Sequence, residues 1–237
     1  SGGSLVLRQG ANSTFSSVSA ALGRIETAGA NLTLPAGADV GELVAGGGAS
    51  SYYDPLDVLQ FFPEEIEAAV MAAADWGTYV CAHVYTPKGI QRCLDAGVRS
   101  IEHGHLTDEE SVMRIADAGA VWSLQPFAAE TRAGGDAGVP ADAKVRELWT
   151  GTDTAYTLAA KHKVPTGFGT DILFDAAASE MQGQLLAYLT RWYTPAQALV
   201  QATSQNAFIL GLSGPRNPYP GTLGVIQKGA HADMILC

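Results

Sequence analysis

Hydrophobic and polar positions alternate in a regular way from about residue 63 onward. Residues 63–76 predict a helix, because Pro63 stands in the first turn and apolar side chains recur at helical spacing. Residues 78–84 are rich in β-favouring side chains and predict a strand. The same alternation predicts helices over 87–96, 107–119 and 141–163 and strands over 98–102, 120–124 and 164–170. Strand, short loop and helix repeated in this way are typical of βα units and a parallel sheet.

Capping residues mark where several of these helices begin. Thr107 is followed three residues later by Glu110, a pattern that predicts a capping box for the third helix. Thr194 and Gln197 predict a second capping box further along. Gly97 is expected to end the second helix, since glycine adopts the left-handed conformation that follows a helix.

The two ends of the chain are less regular. Residues 17–28 are interpreted as a helix, and residues 45–51, with three glycines, as a flexible loop. Residues 221–237 lack a helical period and predict short antiparallel strands of a small second domain. The chain stops within an apolar run, which indicates truncation. We therefore expect one large domain over 1–212 and a remnant of a small one over 213–237.

Composition and charge exclude several classes of function. The chain has 237 residues, is 47% hydrophobic and carries a formal net charge of -10. Nucleic acids and anionic membranes bind through clustered Lys and Arg, so neither is expected as a partner. Cys81 and Cys93 are interpreted as buried thiols, since their spacing fits no zinc or redox motif. The start of the chain shows no secretory signal, and no compartment is predicted.

Polar side chains that can bind metal follow three predicted strands. His83, His103 and Asp171 each stand where a strand ends. Functional groups gather at the carboxyl ends of parallel strands, so we expect these three to converge. One such histidine alone would more often be a hydrogen-bonded structural residue; the joint pattern favours a metal site.

Two further side chains are candidate substrate contacts. Tyr85 lies two residues after His83 and should point to the same side of the strand. His105 lies two residues after His103, and a solvated loop residue is the alternative interpretation. His162 is attributed to the negative end of a helix dipole, and His231 to the surface. The serine-hydrolase motif GxSxG and the glycine-rich phosphate-binding motifs are absent from the sequence.

Three blocks of sequence, in order, resemble the amidohydrolase superfamily. They are residues 81–87 (CAHVYTP), 96–104 (AGVRSIEHG) and 169–171 (GTD). The nearest group is the imidazolonepropionase-like and prolidase-like branch. Residues 224–236 resemble the returning strands of that superfamily's small β-sandwich. The resemblance covers about residues 42–237.

The resemblance implies a TIM-type (β/α)₈ barrel, here incomplete on its N-terminal side, with one or two divalent metal ions, usually zinc. The metal-binding histidines of the family's fifth and sixth strands match His83 and His103. The family's eighth-strand aspartate matches Asp171, which would bind metal and serve as general acid and base.

Two features depart from the family pattern. The HxH or HxD motif of the first strand is absent, and the only HxH spacing, His103 with His105, follows a later strand. The bridging lysine of the fourth strand is also absent. One alignment places Glu42 there as a substitute bridge; another places the fourth strand at 31–34, without a ligand.

The pattern as a whole predicts a metal-dependent hydrolase of C–N bonds, acting on a dipeptide-like or other small-molecule substrate. One alternative is a truncated or degenerate domain without catalysis, with a homo-oligomer covering the open sheet edge. The other is a metal-free barrel that binds a small ligand. Metal content separates these hypotheses.

Overall fold

The structure is a computed structural model, and it describes the greater part of the chain. The described residues are 4–7, 12–14, 24–27, 31–33, 42–49, 51, 53–128, 142–172, 178–219 and 221–234. The statements below concern these residues.

A five-stranded parallel sheet forms the centre of the fold. Its strands, in chain order and in spatial order, are β5 (Glu42–Val44), β6 (Cys81–Val84), β7 (Ser100–His103), β8 (Val121–Leu124) and β9 (Thr166–Phe168). All four neighbouring pairs are parallel. The four predicted strands of this region are confirmed, each shorter than the sequence pattern by one to four residues. The α/β architecture with a parallel sheet expected from the sequence is therefore present.

The N-terminal region contains four further short strands. They are β1 (Ser4–Leu7), β2 (Asn12–Thr14), β3 (Arg24–Thr27) and β4 (Asn31–Thr33). β1 pairs with β3 and β2 with β4, both in parallel, in two separate sheets. The helix predicted over 17–28 is wrong within β3, where alternation of polar and apolar positions with β-branched Ile25 and Thr27 favours a strand. Residues 17–23 and 28 lie outside the described residues.

Seven α-helices accompany the strands. They are α1 (Pro63–Asp75), α2 (Pro87–Asp95), α3 (Glu109–Asp117), α4 (Asp142–His162), α5 (Gln182–Tyr188), α6 (Pro195–Val200) and α7 (Asn206–Gly211). A π-helical turn, Gln201–Gln205, joins α6 to α7. Short 3₁₀ turns lie at Ala178–Met181, Leu189–Arg191 and Gly214–Arg216. The helices predicted between residues 63 and 163 are confirmed to within two residues at each end.

The helix ends show which capping predictions hold. Thr194 accepts a hydrogen bond from the Gln197 amide at 3.3 Å, and the Gln197 side chain accepts one from the Thr194 amide at 2.9 Å, so that capping box is confirmed. The capping box predicted at Thr107 is wrong, because α3 begins two residues later, at Glu109. Asp108 caps α3 instead: its carboxylate accepts a hydrogen bond from the Ser111 amide at 2.8 Å. Gly97 follows α2 with a φ of +93°, as predicted.

The main hydrophobic core lies between one face of the sheet and the helices. Ala82, Ile101 and Trp122 from the strands pack there with Ile90 of α2 and Ile115 of α3. Side chains alternate between the two faces of a strand. The neighbours of these core residues, Cys81, His83, Glu102 and Ser123, therefore face the other side of the sheet. This alternation makes the side of the sheet that faces away from the main core more polar.

The C-terminal region differs from the prediction. Residues 221–234 form no strand, and an isolated bridge joins Thr222 to Ala230 in parallel rather than antiparallel. Most of these residues are exposed. The small β-sandwich is thus not seen in the described tail, and the division at residue 212 stays a prediction.

Among the described helices, none is both long and apolar enough to span a bilayer.

Candidate metal centre

Three potential metal ligands from β5, β6 and β7 lie close together: Glu42 begins β5, His83 lies near the carboxyl end of β6, and His103 ends β7. The imidazole rings of His83 and His103 lie 4.5 Å apart between centroids in an edge-to-face arrangement. Glu42 of β5 is the third member: one ligand atom from each of the three side chains lies within 4.8 Å of the others. β5 pairs directly with β6, with Glu42 opposite Cys81. The alternative alignment, with the fourth strand at 31–34, is therefore wrong, because that segment is β4 and pairs with β2.

Hydrogen bonds fix which nitrogen of each histidine is available to a metal ion. The Nε2 of His83 lies 3.0 Å from the carbonyl oxygen of Gly47. A carbonyl only accepts, so Nε2 carries the proton and Nδ1 carries the lone pair. The Nδ1 of His103 lies 2.8 Å from Oε1 of Gln125. Nδ1 is therefore the donor, and the His103 lone pair is on Nε2.

Burial keeps His103 in the form that binds metal. Its pKa is well below the usual range, mainly because burial disfavours the charged imidazolium and secondarily because of nearby His83 and His105. A neutral imidazole is the form that coordinates metal ions. Hydrogen bonds from a histidine's second nitrogen orient metal-bound histidines in general, and Gln125 occupies that position for His103.

Asp171 stands beside this group after β9. Its Oδ2 lies 3.9 Å from Nε2 of His103. Partial burial, with a smaller contribution from the charge of Glu102, raises its pKa to about 6. Asp171 has a φ of +48° and His103 a φ of +72°, two of the three positive values at non-glycine positions in the described chain. Such strained backbone concentrates at functional sites.

Glu102 is a functional candidate that the sequence interpretation missed. It lies on β7 opposite His83 and accepts a hydrogen bond from the Ser100 hydroxyl at 2.5 Å. Burial raises its pKa, and its charge contributes to the raised pKa of both Asp171 and Cys81. The alternation along β7 was the available signal in the sequence, since it places Glu102 on the same face as Ser100. The pairing of Glu102 with His83 on the neighbouring strand is seen only in the structure.

The two candidate substrate contacts are both buried. Tyr85 is 2% exposed; it stacks on His103 with ring centroids 4.9 Å apart and meets His83 edge to face at 5.0 Å. His105 is 1% exposed and its Nε2 donates to the carbonyl oxygen of Gln125 at 2.8 Å. Burial lowers the His105 pKa to about 4, and its Nδ1 has no hydrogen-bond partner in the described part of the chain. His105 thus lies near the ligand set without joining it.

The glycine-rich segment after β5, predicted to be a flexible loop, contacts His83 through its described residues. Its described residues between Ala45 and Asp54 are called the glycine loop below. The amides of Ala45 and Gly46 both donate to the His83 carbonyl at 3.0 Å. A side chain at Gly47 would overlap the Pro55 carbonyl, so glycine is required there by close packing. The same glycines that suggest flexibility allow the loop to approach the site.

The other described histidines and cysteines are not members of the ligand set. His162 is in the last turn of α4, where it and Lys161 contact Glu109 at the start of α3. His231 is exposed, as predicted. Cys93 is buried in the main core as predicted, whereas Cys81 is only partly buried and faces the polar side of the sheet.

Comparison with known proteins agrees with this geometry. The profile of the amidohydrolase family matches residues 16–237. The chain belongs to the amidohydrolase family. It is 31% identical over 208 residues to ochratoxinase of Aspergillus niger, a match that covers 86% of this chain and 42% of that protein.

Solved structures give the same result. A prolidase complexed with N-methylphosphonate-L-proline is 31% identical with a TM-score of 0.70, covering 80% of this chain and 45% of the prolidase. An amidohydrolase is 33% identical with a TM-score of 0.72, covering 83% of this chain and 46% of that one. These matches place the chain in the prolidase-like branch of the family. The chain spans a little under half the length of these relatives.

Proposed function

We propose that this chain carries part of the active site of a zinc-dependent hydrolase that cleaves a C–N bond. The observation that carries the proposal is the convergence of Glu42, His83 and His103 within 4.8 Å, with the Asp171 carboxylate beside them. His83, His103 and Asp171 stand at or just after the carboxyl ends of three parallel strands, where catalytic groups of this architecture gather.

The donor set suits a divalent metal ion. Two imidazoles and a carboxylate are ligands that catalytic zinc sites use, with a further position left for water or substrate. The lone pair of His103 is on Nε2, the nitrogen nearest Asp171, and that of His83 is on Nδ1. We propose that Glu42 replaces the family's bridging lysine and offers a carboxylate in its place.

Each residue has a chemical task in this proposal. Glu42, His83 and His103 would hold a divalent cation, which would supply the Lewis acidity that activates water and polarises the scissile carbonyl. Asp171 takes the proton of the attacking water and delivers it to the departing amine. In the metal-free protein burial raises the pKa of Asp171 to about 6, so the carboxylate is largely ionised at neutral pH, as a general base must be. Tyr85 and His105 line the same end of the sheet and are proposed as substrate contacts.

The relatives support a peptide-like substrate. One of the matched structures is a prolidase that holds a phosphonate analogue ending in L-proline. We propose by extension a dipeptide-like or cyclic amide substrate for this site. The polar face of the sheet around His83 and Glu102 fits a substrate with amide groups better than it would fit a purely apolar substrate.

The test combines metal content with hydrolysis by three variants. The protein is loaded with zinc, and cleavage of Xaa-Pro dipeptides and a cyclic amide is followed by amine release. His83→Ala should lose both metal and turnover. Asp171→Asn should retain more metal than His83→Ala and still lose about 100- to 10,000-fold in turnover at saturating zinc, the usual size of an acid–base contribution.

His231→Ala is the matched control, since His231 is exposed and distant from the ligand set in sequence. It should leave both measurements unchanged. Wild-type protein that holds well under one zinc ion per chain and cleaves none of these substrates would contradict the proposal.

A further inference from the structure

Lys144, near the start of α4, contacts residues of the glycine loop that lie 90 to 96 positions earlier in the chain. Its Nζ lies 3.2 Å from the carbonyl oxygen of Gly48, 2.7 Å from that of Ser51 and 2.5 Å from that of Asp54. An ammonium has three donors and no acceptor, so these three carbonyls use its full hydrogen-bonding capacity.

The loop that Lys144 binds is the one that holds His83. The Gly47 carbonyl, adjacent to Gly48, accepts the hydrogen bond from His83 Nε2 at 3.0 Å. The amides of Ala45 and Gly46 donate to the His83 carbonyl. The imidazole and the backbone of His83 are therefore both oriented by this loop.

Polar side chains within the loop complete the arrangement but leave the three carbonyls to Lys144. The Asp54 carboxylate accepts hydrogen bonds from the Gly48 amide, the Ser51 hydroxyl and the Gln60 side chain. Gln60 also donates to the Gly46 carbonyl at 2.9 Å. These contacts fold the loop on itself; the contacts of Lys144 attach the folded loop to α4.

We propose that Lys144 is a positioning residue for the metal site, because its ammonium fixes the glycine loop and so holds the Gly47 carbonyl against the His83 imidazole. The inference rests on the proposed metal-dependent function. It predicts that Lys144 maintains the Nε2-protonated form of His83, which directs the Nδ1 lone pair at the metal position.

The chemistry of lysine suits this role better than that of arginine. Three carbonyls around one nitrogen require donors that diverge from a point, as in an ammonium. A guanidinium presents its donors in a planar fork and matches paired oxygens of a carboxylate. Lys144→Arg keeps the charge but should not reproduce all three contacts, whereas Lys144→Met keeps most of the aliphatic stem and removes every donor.

The test uses two measurements, one of which needs no metal. Long-range ¹H–¹⁵N spectra of the metal-free protein in alkaline buffer report which nitrogen of His83 is protonated. Wild type should show the Nε2-protonated form, and both Lys144 variants should show a mixture of the two neutral forms. Zinc affinity, measured by competition with a chromogenic chelator, should fall about tenfold in Lys144→Met, the low end for residues that orient a metal ligand.

Lys161→Met is the matched control, because it makes the same change on the same helix at an exposed ion pair with Glu109. It should alter neither measurement. The proposal would be overturned if Lys144→Met had the same His83 spectra and the same zinc affinity as the wild-type protein. If Lys144→Met does not fold, His83 spectra in Lys144→Arg that match those of wild type would overturn it. Failure of wild type to bind zinc would count against the proposed function alone, since the His83 spectra of the metal-free protein still test the role of Lys144.

Discussion

His103 and His105 are two residues apart and both buried, yet their environments differ. Both are oriented by Gln125, His103 through its side-chain oxygen and His105 through its backbone carbonyl. The His103 lone pair faces Asp171 at the candidate centre. The His105 lone pair is on Nδ1, which is buried and has no partner among the described residues. A single glutamine therefore sets the protonated nitrogen of both rings.

The buried His105 should make the metal-free protein sensitive to acid. Burial lowers its pKa from 6.5 to about 4 in the folded state. Between these values the unfolded chain binds the proton more readily, so the free energy of unfolding should fall as pH drops from 6.5 to 4. The full shift corresponds to at most about 3 kcal/mol. His105→Gln, which keeps a donor for the Gln125 carbonyl, should reduce this pH dependence in urea unfolding with chelator present.

His231→Gln is the control for this experiment, since it makes the same change at an exposed position. Its pH dependence should match that of wild type. Some acid sensitivity should remain in His105→Gln, because His103 has a lowered pKa for the same reason. An unchanged slope in His105→Gln would contradict the prediction.

The position of the site residues was partly predictable from the sequence. His83 and His103 end strands whose apolar neighbours alternate clearly, so strand direction alone indicates that they meet. Glu42 could be placed only once β5 was seen to pair with β6, because three residues of strand carry little periodic signal. Lys144 was not predictable, since its carbonyl partners are about ninety residues away in sequence and carry no side-chain signature.

At the level of single elements, α3 offers a direct test of which residue caps a helix. The sequence pattern pointed to Thr107 with Glu110, whereas the structure shows the Asp108 carboxylate accepting from the Ser111 amide. Asp108→Ala should lower the free energy of unfolding by about 1 kcal/mol, the usual value of a capping side chain. Thr107→Ala should change it by less than about 0.5 kcal/mol, as is typical of surface substitutions. Urea unfolding at neutral pH measures both.

Thr107→Ala is also the matched control, because it lies one residue away and tests the competing cap. Its hydroxyl donates to the Asp108 carbonyl at 3.3 Å, a weak and exposed contact. A larger loss of stability in Thr107→Ala than in Asp108→Ala would restore the capping box that the sequence suggested.

Helices were more predictable than the short strands near the N-terminal end of the chain. α1 to α4 have helical spacing over nine or more residues, and α1, α2 and α3 are each followed by a glycine with positive φ. β1 to β4 have only three or four residues each, too few to distinguish a strand from an irregular segment by periodicity. The predicted strands of the tail failed for another reason: a returning strand needs a neighbouring strand to pair with, and this cannot be read from the segment alone.

For the molecule as a whole, the described sheet has two outer strands, β5 and β9. Large apolar side chains are exposed on the joined helices α6 and α7, among them Leu199, Phe208 and Leu210. Open strand edges and exposed apolar surface are commonly covered in native proteins. Homo-oligomerisation, expected from the sequence, stays a prediction that sedimentation or light scattering of the purified chain can test.

Metal binding should also stabilise the whole folded chain. Glu42, His83 and His103 come from three strands that only the folded sheet brings together, so the unfolded chain has no equivalent site. Zinc at about 100 times its dissociation constant should then add about 2.7 kcal/mol to the free energy of unfolding. For a chain of this size that corresponds to a rise in melting temperature of about 5–10 °C. Thermal denaturation with zinc and with chelator measures the difference.

Glu42→Gln should reduce this zinc-dependent rise, because a neutral amide is a much poorer ligand than a carboxylate. Glu67→Gln, the same change at an exposed position on α1, is the matched control and should keep the full rise. Equal rises in Glu42→Gln and Glu67→Gln would show that Glu42 is no ligand, and the site would then depend on His83, His103 and Asp171. No rise in the wild-type protein would contradict a preformed metal site in this chain altogether.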